Sequence, residues 1–121
     1  MHYGRVMRYM LLHKTNDNLE AGNPPDPEML ARADAVLEEM RQAGVLLAAE
    51  GLMPSSRGAR ITFPTPGEEP RVLDGPFAET KELVAGLSII RVDSKDEAIH
   101  WALRFAEADP NTPIDILEIA D

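Results

Sequence analysis

Hydrophobic residues recur along this chain with two different periods, and the alternation between them predicts the order of strands and helices. A period of two is typical of strands, and recurrence every three or four residues is typical of helices. Strands are predicted at residues 7–13, 45–52, 58–63, 71–73, 84–92 and 114–119. Helices are predicted from Pro27 to Gly44 and from about Ser94 to about Glu107. The predicted order is therefore β-α-β-β-β-β-α-β.

Both predicted helices carry local signals at their ends. Asp26 can cap the first helix, Pro27 suits its first position, and Gly44 can end it. Ser94, with a glutamate three residues later, gives the capping-box pattern at the start of the second helix. Residues 16–27, which precede the first helix, are rich in Asn, Asp, Gly and Pro and are predicted to form a polar loop.

The element order matches the split βαβ plan of ferredoxin-like α+β folds, in which an antiparallel sheet carries both helices on one face. The other face would be polar if it met water, but both phases of the strands are apolar. In the 84–92 strand, Leu87 and Ile89 point away from Ile90 and Val92. Two helices cover one face only, so the chain is predicted to form a homodimer that packs sheet against sheet.

Composition narrows the class of protein. A chain of 121 residues is long enough for one domain with a core, predicted at 7–121 after an N-terminal extension at 1–6. The apolar fraction is 44%, with neither a run approaching the roughly 20 residues of a membrane helix nor a signal-peptide pattern. We therefore expect a cytoplasmic protein without a membrane partner.

Charge and cysteine content exclude several kinds of chemistry. The absence of cysteine removes disulfides, thiolate nucleophiles, iron–sulfur clusters and cysteine-type zinc sites. The scattered histidines give no metal-ligand spacing, and no nucleotide-binding or nucleophile-elbow motif is present, so neither a metal nor a cofactor is predicted. The net charge of -9, from 21 acidic and 12 basic residues, argues against nucleic-acid binding because phosphate would be repelled.

The segment Asp74-Gly75-Pro76-Phe77-Ala78-Glu79-Thr80-Lys81-Glu82 is the most distinctive in the chain. Together with other segments, it resembles the YCII-related family, in its DGPF-domain branch. The supporting segments are Met7–Leu12, Ala43–Leu52, Pro54–Ser56 and Asp96–Ala98. The resemblance implies a ferredoxin-like domain that dimerises into an α/β barrel. It also implies two kinds of role, because some members are linked to sigma factors and others carry a His-Asp pair proposed for acid–base chemistry.

Three residues are candidates for that chemistry. Asp74 can act as a general base at a strand end, or it can simply form the turn before Gly75-Pro76. Glu50 is in phase with apolar strand residues, which predicts either a pocket carboxylate with a raised pKa or a strand end where it reaches solvent or pairs with Arg60. His13 is in phase with Tyr9 and Leu11, so its ring is expected to face the interior as a core residue or a catalyst.

A second group of residues can bind an anionic ligand group. Ser55, Ser56 and Arg60 lie close together in the chain, and hydroxyl and guanidinium groups bind small anions. The alternative is an ordinary hairpin turn with charges at the surface.

We therefore predict a small organic ligand, such as an organic acid or lactone, in a pocket that supports cofactor-free acid–base chemistry. Whether the chain is an enzyme stays open, because the alternative is a regulatory or protein-interaction module linked to a sigma factor.

Overall fold

The computed structural model describes residues 6–121, which form a four-stranded antiparallel sheet, a separate β-hairpin and three helices. In chain order the elements are β1 Met7–Lys14, α1 Asp17–Glu20, α2 Pro27–Gln42, β2 Leu46–Gly51, β3 Ala59–Thr62, β4 Arg71–Asp74, β5 Val84–Val92, α3 Lys95–Ala108 and β6 Ile114–Glu118. Single 3₁₀ turns lie at Ser55–Arg57 and Thr80–Glu82. The predicted elements are present, and α1 is an additional helical turn inside the segment predicted to be loop.

The large sheet has the strand order β2-β5-β1-β6, and each neighbouring pair is antiparallel. β1 and β2 both pair with β5, so these two strands are parallel to each other with β5 between them. This arrangement is the split βαβ of the ferredoxin-like α+β fold, as predicted. β3 and β4 form the separate hairpin between β2 and β5.

The helix ends follow the local signals in the sequence. The Asp26 carboxylate accepts a hydrogen bond from the Glu28 amide at 3.1 Å at the start of α2. Gly44, just beyond α2, has φ of 75°, a conformation that glycine adopts without a Cβ penalty. The Ser94 hydroxyl accepts from the Glu97 amide at 3.1 Å, and the Glu97 carboxylate accepts from the Asp93 amide at 2.9 Å. These local bonds explain why the helix boundaries could be predicted closely.

The core lies between the sheet and the pair α2 and α3, a side of the sheet that we call the helix face. Its buried residues are Tyr9, Leu11, Val36, Met40, Val45, Ile90, Val92, Ala98, Ala102 and Phe105. Arg104 of α3 also binds the Glu39 carboxylate of α2 through two contacts of 2.6 and 2.7 Å. Apolar burial fixes α2 against α3, and this ion pair, in which one guanidinium nitrogen contacts both carboxylate oxygens, joins the two helices near the surface.

The opposite side of the sheet, which we call the open face, is apolar. No helix within residues 6–121 packs against it. Its half-buried or exposed residues are Met10, Leu12, Leu87, Ile89 and Leu117. The prediction that Leu87 and Ile89 oppose Ile90 and Val92 is therefore confirmed. The homodimer and the barrel remain predictions, because the structure contains one chain.

A bulge in β2 changes one predicted side-chain direction. Leu46 pairs with Ile90 on the helix face, but Ala48 already pairs with Ile89 on the open face. Glu50 consequently pairs with Leu87 and shares the open-face phase, not the phase of Leu46 as expected. The extra residue in the bulge reverses the alternation, and this reversal cannot be obtained by counting residues in twos.

The predicted extension at residues 1–6 lies almost entirely outside the described residues, so that boundary remains a prediction. Within residues 6–121, no helix is both long enough and apolar enough to cross a membrane.

Candidate functional site

A cavity of about 560 Å³ lies on the helix face, between α2 and the end of the sheet. This volume lies within the range of small-molecule sites. Its apolar wall comes mainly from α1, α2 and α3, through Leu19, Met29, Leu30, Leu37 and Phe105. The segment 49–54 and the start of β5 close its other sides.

Small residues on β2 and β5 leave the space that becomes the cavity. Gly51 pairs with Gly86, which also pairs with His13, so two glycines lie beside the imidazole in one row across the sheet. In the next row, Ala49 pairs with Ser88. Large side chains at these positions would fill the space under α2. At Gly86 an added Cβ would lie 3.2 Å from the Glu50 carbonyl oxygen, so even alanine would be tight.

His13 lies on the wall of this cavity, as its predicted inward direction requires. Its ring packs edge-on against Phe105, with 4.7 Å between the ring centroids. Burial lowers the pKa of the imidazole, and the nearby Asp109 carboxylate opposes this by raising it. The ring is therefore mainly neutral near pH 7. Among residues 6–121 no protein group forms a hydrogen bond with it, so a ligand can do so.

Asp109 follows α3 and lies on the same wall. The hydroxyl of Thr112 donates to its carboxylate, and the Asn111 amide donates to it at 3.3 Å. These local hydrogen bonds hold the carboxylate in place near His13. The arrangement can stabilise an imidazolium that forms when His13 accepts a proton.

Ser88 is the buried polar residue of the cavity. It is 1% exposed, and its hydroxyl oxygen has no hydrogen-bond partner among the described residues. A buried hydroxyl without a partner loses the free energy of its hydrogen bonds to water. Such groups in native proteins call for an explanation, and a ligand that supplies the missing partner is one.

Charged side chains on the cavity wall are mostly acidic or already paired. The carboxylates are those of Asp34, which is exposed, and Asp109. Glu50 also borders the cavity, but its side chain has the open-face phase. Lys14 forms a salt bridge with Asp115 at 3.0 Å, and Arg41 forms one with Glu38 at 3.1 Å.

The distinctive Asp74–Glu82 segment forms a structural corner with Ser55. The Ser55 hydroxyl accepts from the Phe77 amide at 2.9 Å and donates to the Glu20 carboxylate at 2.6 Å. The Ser55 amide donates to the same carboxylate, also at 2.6 Å. One serine therefore joins α1, the 3₁₀ turn after β2 and the segment 74–77; we call Ser55 together with this segment the corner.

Gly75 allows this close contact. A Cβ on Gly75 would lie 1.7 Å from the Ser55 carbonyl oxygen, so a side chain cannot fit there. The Gly75 amide donates to the Gly58 carbonyl oxygen at 3.0 Å, and the Gly75-Pro76 peptide is cis. The glycine of the motif is therefore explained by packing against Ser55.

The structure separates the predicted site residues into two groups. His13 lies on the cavity wall, and Glu50 borders it near the end of β2, but the Glu50 side chain is exposed and has the open-face phase. Asp74 is exposed and lies outside that wall, and its carboxylate has no hydrogen-bond partner within residues 6–121. The turn after Asp74 is instead held by Ser55, which corrects the expectation that Asp74 forms it.

The predicted anion-binding residues also lie outside the cavity wall. The Arg60 guanidinium lies over the Phe77 ring, 4.2 Å from its centroid, and contacts Glu79 at 3.5 Å rather than Glu50. Ser55 is occupied in the corner, and Ser56 is exposed. Their assignment to ligand binding stays a prediction.

Sequence reasoning missed Ser88 and Asp109. A signal for Ser88 was present, because it shares the buried strand phase of Ile90 and Val92 and is polar. Asp109 gave no such signal, because its proximity to His13 depends on how α3 packs on the sheet.

Comparison with known proteins agrees with this ferredoxin-like α+β domain. The YCII-related domain model matches residues 7–120, and the chain therefore belongs to the YCII-related family. An uncharacterized protein of Rhizobium meliloti (strain 1021) is 36% identical over 87 residues, which cover 72% of this chain and 68% of the relative. Assignment to the DGPF-domain branch stays a prediction.

Metal binding has no obvious location in the described part of the chain. Within residues 6–121 no group of three or more His, Asp or Glu side chains is arranged to hold a metal ion.

Proposed function

We propose that the cavity beside His13 binds a small organic ligand and that His13 catalyses cofactor-free proton transfer on it. The observation that carries the proposal is a mainly neutral imidazole, free of protein hydrogen bonds, on the wall of a cavity of about 560 Å³. A neutral imidazole can accept a proton, and a nearby carboxylate such as Asp109 stabilises the resulting imidazolium.

The simplest reaction of this class removes a proton from the carbon beside a carbonyl group. His13 takes the proton, the carbon–hydrogen electron pair forms an enolate, and the imidazolium then returns a proton to the same carbon. The substrate is regenerated, so neither an oxidant nor a cofactor is consumed. In D₂O the returned proton is a deuteron, which makes the reaction visible with any small ketone that binds.

The test is hydrogen–deuterium exchange at the methyl group of acetophenone, followed by proton NMR in D₂O. The wild-type protein should accelerate exchange, and His13→Gln should reduce the acceleration by a factor of about 10² to 10⁴. His100→Gln, at an exposed histidine outside the cavity wall, is the matched control. Equal exchange with wild type and His13→Gln would refute the catalytic role, even if acetophenone binds.

The open face supports a second proposal, that the protein is a homodimer. Apolar residues of β1, β5 and β6 remain uncovered there, and Leu117 is 54% exposed. A second copy that packs face to face would remove this surface from water. Light scattering should give the mass of two chains, and Leu117→Asp should give the mass of one.

A monomeric mass for the wild type would instead favour a protein-interaction module. The observation that favours this second candidate is the hairpin, where Ile61, Phe63 and Val72 are 62%, 63% and 68% exposed. Two strands alone seldom form a stable sheet, and an exposed apolar hairpin is a common site for protein contacts. The sigma factor as partner remains a prediction from the family resemblance.

A further inference from the structure

We infer that the ligand of the cavity is an uncharged molecule with an apolar body and one hydrogen-bonding oxygen, such as a ketone, lactone or alcohol. This inference rests on the proposed function of the cavity and specifies the chemical class that it accepts. In particular, it excludes the small organic acids that the sequence had suggested as substrates.

The charges on the wall exclude a carboxylate ligand. Asp34 and Asp109 bring two negative charges to the wall. The two cations on the wall, Lys14 and Arg41, are already paired with Asp115 and Glu38. A bound carboxylate would therefore meet unbalanced negative charge, in a chain whose net charge is already -9.

Arg60, the cation predicted to hold an anion, cannot balance this charge from its position. It lies over Phe77 and beside Glu79, outside the cavity wall. Moving it to the cavity would break both contacts.

The inner end of the cavity is suited to one neutral polar atom. Ser88 brings a buried hydroxyl without a partner, and His13 brings a mainly neutral ring that also lacks a protein hydrogen bond. The two residues lie on the helix face of adjacent strands, since His13 pairs with Gly86, two positions before Ser88. A single ligand oxygen can accept a hydrogen bond from the hydroxyl, while the apolar walls surround the rest of the molecule.

The test compares three probes that share one phenyl ring: acetophenone, which is neutral, benzoate, which is an anion, and benzylamine, which is a cation. Binding is measured by amide chemical shifts of the ¹⁵N-labelled full chain, with shifts expected at Ala49, Gly51 and Gly86. Acetophenone should bind at least about tenfold more tightly than either charged probe, which corresponds to about 1.4 kcal/mol. Ser88→Ala should weaken acetophenone about fivefold.

A charge variant separates electrostatic repulsion from poor fit. Asp34→Asn should strengthen benzoate binding about twofold or more, and acetophenone binding should change less. Glu68→Gln is the matched control, because Glu68 is exposed in the hairpin loop and lies outside this cavity wall. The control changes net charge equally and should leave benzoate binding unchanged.

The outcomes distinguish this inference from the proposed function. If benzoate or benzylamine binds in the cavity as tightly as acetophenone, the neutral-ligand inference is wrong while the cavity remains a binding site. If acetophenone binds but Ser88→Ala has no effect, the hydroxyl is not its anchor and that part of the inference is wrong. If none of the probes shifts the cavity amides, both the proposed binding function and this inference are overturned.

Discussion

The corner around Ser55 and the cavity beside His13 use their polar groups in opposite ways. In the corner, the Ser55 amide and hydroxyl and the Phe77 amide all form hydrogen bonds of 2.6 to 2.9 Å. In the cavity, the Ser88 hydroxyl and the His13 ring have no protein hydrogen bonds among the described residues.

The difference separates a structural role from a ligand-binding one. Satisfied polar groups at close packing stabilise a fold, whereas unsatisfied polar groups beside an empty space reduce stability unless something binds there. The distinctive sequence segment therefore marks the structural region, and less distinctive residues form the candidate site. Substitutions in the two regions should consequently change different measurements.

The largest expected effect is in the corner, at Gly75. Gly75→Ala should reduce the free energy of unfolding by about 3 kcal/mol or more, because its Cβ would overlap the Ser55 carbonyl group. Gly58→Ala is a matched control, since its Cβ would meet the same carbonyl oxygen at an ordinary 3.5 Å. Urea unfolding followed by Trp101 fluorescence compares them. Equal stability of the two variants would refute the packing explanation.

A smaller loss is expected when the serine of the corner is changed. Ser55→Ala should reduce the free energy of unfolding by about 1–3 kcal/mol, because the Phe77 amide and the Glu20 carboxylate each lose a partner. The neighbouring Ser56 is exposed, so Ser56→Ala should stay within about 0.5 kcal/mol of wild type. Similar values for both serines in the same urea measurement would contradict the role assigned to Ser55.

In the cavity, replacing Ser88 by alanine should not reduce the free energy of unfolding. Ser88→Ala removes a hydroxyl that has no partner, so the free energy of unfolding should be unchanged or raised by up to about 1 kcal/mol. A loss as large as that of Ser55→Ala would show that the Ser88 hydroxyl is satisfied in solution, and the contrast between the two regions would then fail.

The smallest expected effect is the contribution of His13 to the pH dependence of the free energy of unfolding. Because burial lowers its pKa in the folded state, folding favours the neutral ring. The contribution of His13 to the free energy of unfolding is fully present above its pKa in the unfolded chain, about 6.5. It is lost as the pH falls through the lower pKa of the folded state. His13→Asn should remove that part of the pH slope in urea unfolding between about pH 8 and about pH 5.

Titration of His13 by NMR tests whether the Asp109 carboxylate acts on the pKa of the imidazole. Asp109→Asn should lower the pKa of His13 further, because the Asp109 carboxylate raises it in the wild type. A raised pKa in this variant would show that the Asp109 charge does not act on the ring in the way the structure indicates.

Sequence patterns predicted the fold and part of the site because the signals that determine them are local. Caps at Asp26 and Ser94 are formed by amides two or three residues away, so the chain itself shows where these helices begin. The inward direction of His13 was predicted from the alternation of β1, which is regular from Met7 to His13. The same counting failed at Glu50, because the β2 bulge has no clear mark in the sequence.

The remaining features depend on contacts between distant segments. Ser55 binds Glu20, which is 35 residues away in the chain, and Asp109 lies near His13 only because α3 packs on the sheet.

The sequence by itself determined the order of the main elements, the ends of α2 and α3, the phases of β1 and β5 and the family, because these depend on neighbouring residues. Only the tertiary structure decided that Asp74 lies outside the cavity and that Ser88 and Asp109 lie beside His13. The physical reason is that a cavity exists where packing leaves space, and this space is determined by side chains from several strands and helices together.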